Sequence, residues 1–150
     1  MKSSFTVLGV SRGGEFSPNM QGSDAAIFNA VACHLANYGY RVEVCSEYEF
    51  ASSNRKADVI FTMARSLSAI KCLEEAERDG AIVVNPSSGL RNAVRLSMTR
   101  CLMKASVPHP ESWIVLSPDS QLPCFEKDDA YWVKRADGCA QIAEDVCFVR

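Results

Sequence analysis

The run Asp58-Val59-Ile60-Phe61-Thr62-Met63 constrains the fold of this chain more than any other stretch. Apolar residues at consecutive strand positions present apolar groups to both faces of a sheet, so such a strand is stable only when both faces are covered, as in a parallel sheet. Phe5-Thr6-Val7-Leu8-Gly9-Val10 and Ala81-Ile82-Val83-Val84 read as further strands, and Arg41-Val42-Glu43-Val44-Cys45 alternates like a strand with one better-covered face. Between them lie two helical patterns. In the first, Ile27, Phe28, Val31 and Leu35 form a buried stripe, Ser23 or Asp24 caps the start and Gly39 stops the end. In the second, Ser66 caps a stripe of Leu67, Ile70, Leu73 and Ala76, and Gly80 ends it. A polar loop separates Cys45 from Asp58. The order β-α-β-loop-β-α-β predicts an α/β domain over residues 1–88, an open, mostly parallel, doubly wound sheet.

A chain of 150 residues holds one domain with a sizeable core, or one domain and part of another. The formal charge of −2 argues against a generally nucleic-acid-binding surface, because counterion-driven binding needs a basic face, and leaves only a local patch open. Seven cysteines form no Cys-x-x-Cys pair and only two histidines accompany them, so they read as reduced core thiols of a cytoplasmic protein rather than disulfides or zinc ligands. The first residues go straight into a strand pattern, without the long apolar stretch of a signal peptide, and no apolar run is long enough to span a bilayer. Neither a membrane nor a nucleic acid is expected as a partner; a homo-oligomer is left open.

Open parallel sheets bind ligands beyond the carboxyl ends of their strands. Two loops fall there: Ser11-Arg12-Gly13-Gly14 and Asn85-Pro86-Ser87-Ser88-Gly89. Their backbone donors could hold an anion, yet Gly-Gly and Asn-Pro are also ordinary turn chemistry, and both readings stay open. The first loop lacks a Gly-x-Gly-x-x-Gly pattern, which ranks a dinucleotide-binding oxidoreductase last.

Residues 85–110 join two textures of sequence. A helix is predicted over residues 90–105, with Val94, Met98, Cys101, Leu102 and Ala105 as its buried stripe. Arg91 and Arg95 flank that stripe, whereas Arg100 and Lys104 fall on the solvent side. Val107-Pro108-His109-Pro110 cannot continue a helix. Beyond it come predicted strands at residues 111–116, 131–135 and 145–150, with a polar loop over 117–123 and a turn at Asp137-Gly138.

Asn92-Ala93-Val94-Arg95, the helix to Ala105, Ser106-Val107-Pro108-His109-Pro110 and then Tyr131-Trp132-Val133-Lys134 resemble the opening of an ATP-grasp fold. In that superfamily a helix with an early lysine leads to a Gly-Ile-Pro-x-Pro type exit, a strand, and a second strand ending in a nucleotide-binding lysine. The preceding portion is similar to the substrate-side domain of D-alanine:D-alanine ligase and glutathione synthetase-like enzymes. The resemblance implies a substrate-side domain over residues 1–88 and the beginning of an α+β nucleotide lobe over 89–150. It implies Lys134 and Arg95 on the nucleotide, and Ser11, Arg12, Gly13, Gly14, Asn85, Ser87 and Ser88 on the substrate. ATP and magnesium, a small carboxylate substrate and an acyl phosphate are implied with it.

Three departures accompany the resemblance. Arginine stands at the early lysine position, and the two are not interchangeable as phosphate ligands. The segment after Lys134 has one glycine where the family has a richer phosphate-covering loop. The chain also stops before the family's magnesium ligands, so these 150 residues alone are expected to show no ligation. The alternative is a non-catalytic, flavodoxin-like module that binds a small molecule or a partner.

Overall fold

The computed structural model describes residues 5–116, 130–136 and 145–150. It divides into two compact units, Met1–Arg91 and Asn92–Arg150. The predicted loop at 117–123, the turn at Asp137-Gly138, and Cys124 and Cys139 lie outside the described residues.

The first unit is α/β. Strands β1 (Thr6–Ser11), β2 (Arg41–Ser46), β3 (Val59–Thr62) and β4 (Ile82–Val84) form an all-parallel sheet in the order β2-β1-β3-β4. Strand register sorts the side chains by face. Val7 lies beside Val59, and Gly9 beside Phe61, on one face; Leu8 lies beside Ile60, and Val10 beside Thr62, on the other. Helix α1 (Gln21–Asn37) covers the first face, where Val7, Phe28 and Phe61 are buried together. Helices α2 (Glu47–Ser52) and α3 (Leu67–Arg78) cover the second, where Phe50, Ile70 and Leu73 pack with Leu8, Val10 and Ile60. The consecutive apolar residues of β3 are thus buried from both sides, as their sequence requires.

Gly9 makes the first face possible. A Cβ there would come within 2.8 Å of the Phe28 ring and closer still to that of Phe61. The two rings instead meet over the bare backbone of β1, centroids 5.1 Å apart and tilted by 36°.

Several expectations change. Helix α1 begins at Gln21 with Met20 at its N-cap position and no side-chain cap, so Ser23 and Asp24 lie inside its first turn. Of its predicted stripe only Phe28 is buried and Leu35 partly so; Ile27 is 59% exposed and Val31 39%. In α3 Ile70 and Leu73 are fully buried, but Leu67, at the first turn, is 63% exposed. The polar loop after β2 contains a helix, α2, opened by a reciprocal capping box between Ser46 and Glu49. Cys45 is buried and Cys72 partly so, whereas Cys33, Cys101 and Cys147 are exposed, so the reading of the cysteines as core residues holds for a minority of those described.

The joint does not form one helix over 90–105. Val94 is extended (φ −65°, ψ 134°), so α4 (Ser87–Asn92) and α5 (Arg95–Lys104) are separate. No residue of α5 is buried, and its predicted apolar stripe has Met98 and Cys101 exposed. Arg100 and Lys104 are exposed as the helical phase predicts. Three helices end alike: the amides two residues past the last helical one, Gly39, Gly80 and Ser106, bond back to Ala36, Glu77 and Met103, and the next amides to Leu35, Ala76 and Leu102. This motif requires positive φ, which Gly39 (88°) and Gly80 (100°) adopt freely and Ser106 (52°) adopts with a Cβ in the way.

In the second unit, residues 111–116 do not form the predicted strand. Strands β5 (Tyr131–Lys134) and β6 (Val146–Val149) pair antiparallel. Trp132 sits opposite Phe148 with centroids 5.2 Å apart, and Tyr131, on the other face, meets Trp113 edge-on at 5.8 Å.

Candidate functional site

In the sheet order β2-β1-β3-β4 the chain leaves β1 toward α1 on one face and β3 toward α3 on the other. The loops after β1 and β3 therefore diverge, and the gap between them is the place where open α/β sheets take ligands. A crevice of about 190 Å³ lies there, lined by Ser11, Arg12, Gly13 and Gly14 from the first loop, by Gln21 and Asp24 of α1, and by Met63. The second predicted loop does not line it. Asn85, with φ of 66°, donates through Nδ2 to the Thr62 carbonyl at 2.7 Å and so fastens the β4 exit to β3.

The charges in the crevice are already matched. Arg12 Nη1 pairs with Asp24 Oδ2 at 2.8 Å, both side chains about four-fifths buried, and Arg12 Nε donates to the Met63 carbonyl at 3.3 Å. Asp24, expected as a helix cap, is the counterion of Arg12.

The backbone donors are matched too, by a residue that motif reading passed over. Glu47 is fully buried. One of its oxygens accepts from the Gly13 amide, and the other from the amides of Arg65 at 2.9 Å and Ser66 at 2.6 Å. A carboxylate from the start of α2 thus fills the nest of N–H groups where the first and third strands end, the position at which an external anion would be held. The signal was present in the sequence. Ser46-Glu47-Tyr48-Glu49 carries the Ser-x-x-Glu of a capping box, and that box places Glu47 at the first helical position beside the sheet edge.

The second loop repeats the arrangement. Ser87 is buried, and its amide donates to Glu77 Oε1 at 3.0 Å while its hydroxyl bonds to Oε2 of the same carboxylate. Ser88 is exposed beside it. Both anion-binding loops of the sheet edge hold acids supplied by the chain itself.

The second unit brings Arg95 and Lys134 into one neighbourhood. Arg95, the first residue of α5, donates from Nη1 to the Arg135 carbonyl at 2.5 Å, and the Leu96 amide donates to the Ala136 carbonyl at 3.0 Å. The start of α5 is thereby fixed against the end of β5, next to Lys134. Strand periodicity puts Lys134 on the face that carries the Trp132–Phe148 ring pair, with Val146 opposite it. Lys134 is exposed and Arg95 half-buried.

Among the described residues no group of three or more His, Cys, Asp or Glu side chains is placed to hold a metal ion. No helix among them is long and apolar enough to cross a membrane. Set against protein-family models, curated proteins and solved structures, the chain matches none of them.

Proposed function

We propose that this chain is the N-terminal part of an ATP-dependent carboxylate ligase of the ATP-grasp type, a cytoplasmic enzyme with a substrate-side α/β unit followed by the start of a nucleotide lobe. The observation that carries this reading is the meeting of α5 with the end of β5. Arg95, forty residues before Arg135 in sequence, is bonded to the carbonyl of the residue that follows Lys134. Two cations expected on one nucleotide thus belong to two elements fastened together. The αL backbone of Ser106 is a second support, because it stands where the family's exit carries glycine and adopts the conformation that favours glycine there.

In this reading Lys134 offsets phosphate charge from the strand, and the Arg95 guanidinium, oriented by the Arg135 carbonyl, adds a second cation. The Trp132–Phe148 face supplies apolar surface beside them. Catalysis of acyl-phosphate formation is mostly positioning and charge neutralisation, which is the work such groups can do. Magnesium supplies further neutralisation in chemistry of this kind. The described residues offer no cluster of His, Cys, Asp or Glu that fits it.

Titration calorimetry of ATP into the chain tests the reading. Binding that weakens by about tenfold or more in both Lys134→Ala and Arg95→Ala is the expected result, since each substitution removes a charge-assisted contact. Equal binding by wild type and Lys134→Ala, or no binding by wild type, removes the nucleotide role. The alternative is a non-catalytic small-molecule module, and the Arg12-lined crevice at the sheet edge favours it. It gains ground if ATP fails to bind.

A further inference from the structure

A further cavity of the first unit lies at the amino edge of the sheet, opposite the Gly13 crevice. It measures about 400 Å³ and opens between the loop after α2 and the last turns of α3, beside the starts of β1, β3 and β4. Its size is within the range of small-molecule sites. The strands separate it from the Gly13 crevice by roughly 17 Å, five residue steps of about 3.3 Å each.

Its floor is apolar: Phe50 is buried, and Ala57, Cys72 and Ala76 are partly buried against the same core. Most of its charged rim is engaged. Asp58 accepts from the Thr6 amide at 2.7 Å and the Thr6 hydroxyl at 2.9 Å. Lys56 pairs with Asp79 at 3.1 Å, and Glu75 with Arg78 at 3.9 Å. Arg55 remains. It has no hydrogen bond or ion pair among the described residues, and Glu49, whose charge it senses, is bonded twice to Ser46. Gly80, at φ 100° with nothing within 4 Å of a Cβ position, leaves one wall open.

We propose that this cavity binds a small organic monoanion, a carboxylate with a short apolar body, whose charged end meets Arg55 and whose body lies on the Phe50–Ala57–Ala76 floor. A guanidinium recognises a carboxylate through two parallel N–H donors, and an apolar floor beside it excludes water from that contact. Phosphate, which has no apolar body, gains nothing from the floor. The proposal stands independently of the nucleotide reading, because no residue is shared between the two.

The test is an NMR titration of the ¹⁵N-labelled chain with sodium benzoate, with benzamide as the uncharged counterpart and inorganic phosphate as the anion without a body. Benzoate is expected to shift the Ala57 and Gly80 amides saturably, and benzamide and phosphate to bind about tenfold more weakly or worse. Arg55→Ala should weaken benzoate by about tenfold, and Arg55→Lys should recover part of it. Arg55 is exposed and outside the core, so the variant keeps its fold, and an unchanged spectrum elsewhere verifies that. The proposal is overturned by no saturable response at tens of millimolar benzoate, by equal responses to benzoate and benzamide, or by a loss that follows Lys56→Ala and not Arg55→Ala.

Discussion

Replacing Glu47 by alanine tests whether an internal carboxylate holds the ligand edge of the sheet together. The substitution strands three amides, those of Gly13, Arg65 and Ser66. Each buried donor without an acceptor costs about 1–3 kcal/mol, so the three set an upper range of about 3–9 kcal/mol. Water admitted to the emptied space recovers part of this, which leaves an expected loss of about 3–5 kcal/mol. Against a typical total stability of about 5–15 kcal/mol, the variant is folded but marginal. Glu47→Gln should fall between, at about 2–4 kcal/mol, because one amide oxygen still accepts while the NH₂ group faces donors.

Urea unfolding followed by circular dichroism reads the effect. With a slope of about 1–1.5 kcal/mol/M, the Glu47→Ala midpoint should drop by roughly 2–5 M at unchanged slope. Added acetate should restore more stability to Glu47→Ala than it adds to wild type, because only the variant has a vacant anion nest. A loss below about 1 kcal/mol would refute the reasoning, since it would mean that the three donors find partners without the carboxylate.

Two further outcomes follow from backbone geometry and one carboxylate. Gly9→Ala should destabilise by about 1–3 kcal/mol, measured by the same unfolding curves, because its Cβ displaces the Phe28 and Phe61 rings. Ser106→Gly should stabilise by about 1 kcal/mol, since glycine relieves the positive φ at the end of α5; no gain in thermal melting would count against that assignment. The Thr6 amide first, and its hydroxyl second, hold the Asp58 carboxyl below its ordinary value. A depressed folded-state value means that this stabilisation is present above the unfolded carboxylate value of about 3.9 and fades as pH falls through the folded one. Wild type should lose stability over that acid range, and Asp58→Asn should show a flatter profile there.

The four strands of the first unit were legible because their signal is local. Val59-Ile60-Phe61 specifies two covered faces whatever lies on them, and Gly39 and Gly80 mark helix ends because a backbone without a Cβ adopts the turn at no steric cost. Ser106 occupies the same turn without the glycine that would have announced it. Burial of α1 was misread for a related reason. Ile27 and Val31 share the helical period of Phe28 and Leu35, and periodicity alone does not say how wide a strip the sheet covers. At the joint, periodicity extends through Val94, but the backbone there is extended and no residue of α5 is buried, so local pattern was not enough to make one helix.

What the sequence determined by itself is the order of the first unit's four strands and of the helices α1 and α3 between them, the parallel sheet, and the positions of two Gly- and Ser-containing loops at its ligand edge, since each depends on residues near one another in the chain. Only the tertiary structure decided what those loops hold. Glu47 lies 34 residues from Gly13 and Glu77 lies 10 from Ser87, and nothing in the spacing of a carboxylate reveals which amides it will meet. The meeting of Arg95 with the carbonyl after Lys134 was settled in the same way, by folding across 40 residues. Hydrogen bonds of this kind are fixed by where the packed elements place donors and acceptors, and packing is a property of the whole chain.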